Sequence, residues 1–209
     1  MNWKTLMRTN FLITRRMFLN FAAAMLLIPV LHAPASALTK SEATALIDKL
    51  SSEIFSVIHS GKSESVMYRD FGKVFSKYAD VPVIARSALG VARRSASTSQ
   101  MKSYTSAFRG YVSRKYGKRF REFIGSTIKV TKARKTKRGY LVTTNVKFVG
   151  QAPFIVDWQV SDASGKNKMF DLIIEGISML TLERTEIGNM LDRRGGNLDK
   201  LIADLKKAS

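Results

Sequence analysis

The sequence predicts an α+β domain: a four-stranded antiparallel meander covered on one face by helices. Three observations carry this. Apolar residues recur at helical spacing before residue 117, alternate with polar ones between 128 and 174, and then return to helical spacing. Glycine-containing polar turns separate the alternating runs at 135–139, 150–153 and 161–167. Opposite the apolar face stand polar residues, with Thr143, Asn145 and Lys147 on one strand, Asp157 and Gln159 on another, Asp171 and Glu175 on a third. Helices on either side of such a meander bury their stripes against its apolar face and leave the other face wet.

Thr39 and Glu42 have the spacing of a capping box, and Ala43, Leu46, Ile47, Leu50, Ile54, Val57 and Ile58 follow at helical spacing until Gly61. Met67, Phe71, Val74, Phe75 and Tyr78 repeat the pattern. Asp80 and Pro82 open a short third helix with Ile84, Ala88 and Leu89 inside it. Ser97 and Gln100 cap a fourth, the longest, whose buried stripe is Met101, Tyr104, Phe108, Tyr111 and Val112. It frays near Gly117 or ends by Gly125. Ile128 and Val130 begin the first strand, and Tyr140, Val142, Thr144, Val146 and Phe148 line one face of the second. Phe154, Val156, Trp158 and Val160 do so on the third, Phe170, Leu172 and Ile174 on the fourth. Gly176 bends the chain from sheet to a helix around Ile187, Met190 and Leu191. That helix stops at Gly195 and Gly196, and a last one, capped by Asn197, carries Leu198, Leu201, Ile202 and Leu205.

Residues 1–37 read as an export signal. Lys4, Arg8, Arg15 and Arg16 precede a mostly apolar run at 17–31, and Ala35, Ser36 and Ala37 offer a small-x-small cleavage site. Thr14, Arg15, Arg16, Met17, Phe18 and Leu19 match the twin-arginine pattern, which implies export of a folded protein to the periplasm. Residues 38–209 then form a single domain. The chain has 209 residues, a formal net charge of +19 and no cysteine. Disulfides, thiol nucleophiles and thiolate metal sites are thereby excluded, and anionic partners are favoured.

No catalytic residue is assigned. A serine nucleophile needs a nearby base, and the one histidine outside the leader, His59, ends the first helix beside Ser60 and Gly61. Asp171 and Glu175 share a strand face, but pairing with cross-strand cations is the expected role in so basic a chain. No metal-ligand cluster, phosphate-cradling loop or dinucleotide fingerprint is present, and no cofactor is implied. Residues 114–138 hold eleven basic residues and one acid, Glu122. In an exported protein this density suggests a membrane or partner docking face rather than nucleic acid, carried by Arg114, Lys115, Lys118, Arg119, Lys135, Lys137 and Arg138. The bland reading is a solvated face. Likewise, Tyr104, Phe108 and Tyr111 with Phe148, Trp158 and Leu172 are what any two-layer core would use, and spacing alone leaves open whether the layers close or leave a slot.

Ala79 and Asp80 through Ala88, Leu89 and Gly90, then Gln100, Phe108 and Tyr116, then the D-x-x-x-E-G-x-S-M segment from Asp171 to Met179, and finally Leu191, Gly195, Leu198 and Leu201 resemble the MlaC family of toluene-tolerance auxiliary proteins. The resemblance implies a fold similar to the nuclear-transport-factor-2-like and cystatin-like architectures, with lipid tails held between sheet and helices. It further implies a monomeric periplasmic phospholipid carrier. Its partners would be an inner-membrane ABC transporter bearing an MCE protein and an outer-membrane lipoprotein complex. The tail-binding set it implies is Tyr104, Phe108, Tyr111, Val142, Val146, Phe148, Trp158, Leu172, Ile174 and Met179. The alternative is a fully packed adaptor whose basic face binds anionic membrane surfaces or envelope proteins without extracting lipid.

Overall fold

Both sequence-read capping boxes form. In α1 (Lys40–Ile58) the Thr39 hydroxyl accepts from the Glu42 amide while Glu42 reaches back to the Thr39 amide, and Ser97 and Gln100 do the same for α4 (Thr98–Gly117). Between them lie α2 (Glu64–Tyr78) and α3 (Val81–Ala88), the latter started by the Asp80 carboxylate on the Val83 amide and by Pro82 in its first turn. The structure, a computed structural model, describes residues 37–208. The expected export signal lies outside the described residues apart from Ala37.

After a short 3-10 turn at Phe120–Phe123 the chain enters β1 (Thr127–Thr136), β2 (Gly139–Lys147), β3 (Phe154–Ser161) and β4 (Lys168–Ile174), each antiparallel to the one before. The sheet has five strands, not the four expected from alternation. Ile177–Ser178, β5, pairs back on Ile173 and Ile174. The connecting residues Glu175 and Gly176 both have positive φ, 48° and 82°, the sign pattern of a two-residue type I′ hairpin. A strand of two residues is too short to show a period. Ser178 then caps α5 (Met179–Asp192), and Asn197 caps α6 (Leu198–Lys207).

The inner face is as alternation requires: Val142, Thr144 and Val146 on β2, Val156, Trp158 and Val160 on β3 are all buried. A bulge opposite Gln159 and Val160 adds one residue to β4, so Met169 and Phe170 are both buried. The outer face is less wet than expected. Thr143 is buried and donates to Asp157 Oδ1 at 2.5 Å, and Leu141 is shielded between Arg134 and Gln159, its neighbours in the register.

Helices meet the sheet at particular points. The Asp80 amide donates to the Met169 carbonyl at 2.8 Å, and the Lys168 ammonium caps the carbonyls of Ser76 and Lys77 at the end of α2. α1, α3 and α5 pack on the strands, whereas α4 packs chiefly against α2, α3 and α6. The longest helix therefore stands off from the sheet that it covers.

Candidate functional site

That stand-off leaves an apolar cavity of about 390 Å³. Its volume falls within the range of small-molecule sites, roughly 300–1,000 Å³. From α4 come Phe108, Val112 and Tyr116; from the sheet come Val146, Val156, Trp158, Leu172 and Ile174, and Phe148, expected on the second strand, joins them from just past the end of β2. α1 supplies Ile54, Phe55 and Ile58, and α2 supplies Phe71 and Phe75. Two aromatic arrangements shape the wall. The Trp158 indole N–H donates to the Thr144 hydroxyl at 3.0 Å, which in turn donates to the Val156 carbonyl at 3.1 Å, so the ring borders the cavity with its polar atom satisfied. Phe148 meets Phe123 and Phe154 edge-on, with centroids 4.8 and 5.2 Å apart.

Of the lining residues only Arg119 and Glu122 are exposed, which fixes the mouth at the end of α4 and the start of β1. At the opposite end Ile84, Met169 and Phe170 are buried and close the floor.

Two other carboxylates, Asp171 and Glu183, reach the wall, and Glu175 lies close by in sequence. Asp171 accepts from the Leu172 and Leu180 amides, the Ser178 hydroxyl and the Gln159 amide group, at 2.8, 3.0, 2.8 and 3.3 Å. Glu175 accepts from the Ile155 amide at 2.6 Å. Neither pairs with a cation among the described residues, contrary to the sequence expectation. Both instead fasten the turn between β4 and α5, where unpaired amides of a hairpin and a helix start need acceptors. Glu183, its side chain only 5% exposed, accepts from Lys115 at 2.7 Å and from the Tyr116 hydroxyl at 2.6 Å through Oε1, while Oε2 has no partner among the described residues. Lys115 also pairs with Glu186 at 2.5 Å, and the Tyr111 hydroxyl donates to Glu186 at 2.6 Å.

This network fastens α4 to α5 and shifts its members. Burial, reinforced by the Glu186 carboxylate, pushes the Tyr111 phenol well above its usual range; burial and the charge of Glu183 do the same to Tyr116. For Glu186, burial pushes up, but its bonds from Lys115 and Tyr111 together outweigh that and hold it low. For Lys115, burial pulls down and the two carboxylates prevail, raising it. Beyond this partition lies a second, charged hollow lined by Arg119, Glu183, Glu186 and Arg193.

The structure brings Phe108, Val146, Phe148, Trp158, Leu172, Ile174 and Met179 together around the cavity. It does not bring Tyr104, Tyr111 or Val142 there. Tyr104 and Val142 are fully enclosed in the core, and Tyr111 turns its hydroxyl to α5. Sequence reasoning missed Ile54, Phe55, Phe71, Phe75, Phe123 and Phe154. The i,i+4 pair Phe71 and Phe75 was the available signal, read as core.

The basic set divides. Arg114 donates to the carbonyls of Ala208 and Leu205 at 2.9 and 2.6 Å, closing the end of α6, and Lys115 belongs to the Glu183 network. Arg119 pairs with Glu122 at 2.9 Å beside exposed Lys118. Lys135, Lys137 and Arg138 lie at the far end of β1, about 30 Å away for a ten-residue strand. Arg138 there covers the Phe170 ring at 4.5 Å.

A family model described as MlaC protein matches residues 48–207. The chain belongs to the MlaC family. Among solved structures, this MlaC-family chain is similar to the phospholipid-binding protein from Ralstonia solanacearum in complex with a phospholipid, at 18% identity and a TM-score of 0.66, covering 78% of this chain and 98% of that one. At that identity the likeness speaks for the shared fold. Among the described residues of the MlaC-family chain, no helix is long and apolar enough to cross a membrane, and no cluster of acidic residues and histidines is placed to hold a metal ion.

Proposed function

We propose that the protein is an exported periplasmic phospholipid carrier whose domain, residues 38–209, holds acyl chains in the cavity between α4 and the sheet. The observation that carries this reading is the cavity itself, walled by aliphatic and aromatic side chains and open at one end. Membership of the MlaC family and the phospholipid in the Ralstonia relative's structure support it. Each methylene moved from water into such a wall contributes about 0.8 kcal/mol, so tail desolvation supplies the affinity. Release then needs a receiving site, and the resemblance names an inner-membrane MCE-type ABC transporter and an outer-membrane lipoprotein complex as the two ends of the route. Residues 1–37 would direct export and be removed.

The test is native mass spectrometry of protein purified without detergent, followed by extraction of bound lipid. Stoichiometric phospholipid is expected, and Ile174→Glu, at a half-buried position on the wall, should lose it while retaining a cooperative thermal transition. Leu172→Trp, which fills space without adding charge, should reduce occupancy as well. Lipid-free wild-type protein would favour the adaptor alternative.

A further inference from the structure

Six large hydrophobic residues are conspicuously exposed among the described residues, and five of them, Ile124, Val149, Ile155, Ile177 and Leu182, gather at one end of the domain. The register shows why they meet. Thr127 of β1 faces Lys147 of β2, Val146 faces Phe154, Val156 faces Ile174, and Ile174 faces Ile177, so these strand ends share one edge. The α4 terminus and the first turn of α5, which carries Leu182, arrive at the same edge. Ile124 and Val149 sit on neighbouring loops: a Cβ at Gly125 would stand 2.9 Å from Val149 Cγ2. Val149 is 72% and Ile177 56% exposed, far more than folding alone leaves to aliphatic side chains gathered in one place.

This is also the end at which the cavity opens, and it is basic. Lys118, Lys129 and Lys147 are exposed there with no carboxylate in ion-pair range among the described residues, while the local acids are engaged, Glu122 with Arg119, Glu175 with the Ile155 amide, and Glu183 and Glu186 with Lys115. Aliphatic tips set apart on two loops, two strand ends and a helix start, ringed by lysines, differ from the core of a protein interface, which is contiguous, aromatic-rich and depleted of charge. They match the interfacial zone of an anionic bilayer, where apolar tips enter the acyl boundary and cations meet headgroups.

We infer that the protein docks mouth-down on anionic phospholipid bilayers, with Ile124 and Val149 entering the acyl region and Lys118 and Lys147 on the headgroups. The inference rests on the carrier reading. In that geometry the cavity opens onto hydrocarbon, and a tail can pass between them without crossing water.

Residues 38–209, a compact unit with its own core, serve for the test. Sedimentation with vesicles of phosphatidylglycerol and phosphatidylethanolamine should exceed that with phosphatidylcholine vesicles at least tenfold, and 0.5 M salt should weaken it. Ile124→Ser/Val149→Ser should lose at least tenfold in vesicle affinity while its bound lipid, read by native mass spectrometry, is unchanged. Lys135→Glu/Lys137→Glu, at the opposite end of β1, should bind vesicles within twofold of wild type. Val149→Trp emission should shift to the blue on anionic vesicles and be quenched by brominated acyl chains. Unaltered binding by the loop variant, loss of binding in the far-end variant, or absent quenching each overturns the inference. So does a wild type that ignores vesicles, which would turn the rim into a protein interface. Lipid occupancy is read separately, so failure of the carrier reading is distinguishable from failure of the docking.

Discussion

Lys115 places its ammonium 2.7 Å from Glu183, a carboxylate of α5 that is almost fully withdrawn from water. Removing the partner of such a charge is costlier than the pair is favourable, because the carboxylate is left desolvated beside an apolar cavity. Lys115→Met should therefore lower stability by about 2–3 kcal/mol, below the range for wholly buried pairs because Lys115 is 30% exposed. Urea denaturation of the two proteins measures it. Lys115→Met together with Glu183→Leu should recover most of the loss.

Arg114 illustrates a role that charge density disguised. Its guanidinium holds two carbonyls at the end of α6, and charge-assisted bonds of this kind contribute about 1.5–3 kcal/mol each. Arg114→Met should cost roughly 2–3 kcal/mol of stability and leave vesicle binding within twofold of wild type. Paired thermal melts and sedimentation assays separate the two roles.

Thr144→Val keeps the volume of a fully buried side chain and removes the acceptor of the Trp158 N–H. A buried donor left unpaired costs about 1–3 kcal/mol. The expected result is that loss in chemical denaturation, with a changed near-ultraviolet circular dichroism signal from Trp158.

Three phenols, Tyr104, Tyr111 and Tyr116, are raised above their ordinary value of about 10, chiefly by burial. A group raised in the folded state gives stability that is complete below its unfolded value and lost as pH rises toward its folded one. Stability should thus decline steadily above pH 10, as the unfolded chain ionises phenols that the folded chain keeps protonated. Lys115, also raised, acts in the same direction. Melting temperatures between pH 8 and pH 11.5 measure the slope. Tyr104→Phe, which removes a buried hydroxyl lacking any partner among the described residues, should stabilise by about 1 kcal/mol at pH 7 and flatten that slope.

Acid should act through depressed carboxylates. Asp70, bonded by Lys62 and Lys73, is held down to about 2, and Glu186 is held low by Lys115 and Tyr111 despite burial. Their contributions are complete above the unfolded carboxylate range and vanish as pH falls through the folded values. Titrating the melting temperature from pH 6 to pH 2 should show a plateau and then a fall beginning near pH 4.5 for Glu186, a fall that Glu186→Gln diminishes.

The helices and long strands were legible because their signals are local: Thr39 with Glu42 and Ser97 with Gln100 cap as read, and the strands from Tyr140 to Ile174 pair in the order read, with β3 alternating in burial while the bulge in β4 buries Met169 and Phe170 together. The two residues of β5 had no period to read. The site was partly legible. Phe108 and Tyr104 occupy the same helical stripe, yet one faces the cavity and the other is sealed in the core. What separates them is how far α4 stands from the sheet, a property of its packing on α2, α3 and α6 that spacing does not encode. Basic residues misled for a related reason: Arg114 and Lys115 found partners on α5 and α6, distant in sequence.

The Asp80 to Met169 main-chain bond anchors the blind end of the hollow, while its rim is built where connecting segments meet the start of β3 and phenylalanines touch only by their edges. Such a vessel has a fixed bottom and an adjustable lip. Guests of unequal length would then share one depth of insertion and differ in how far they protrude, so the container sets a common seat and leaves discrimination among lipids to whatever receives the protruding part.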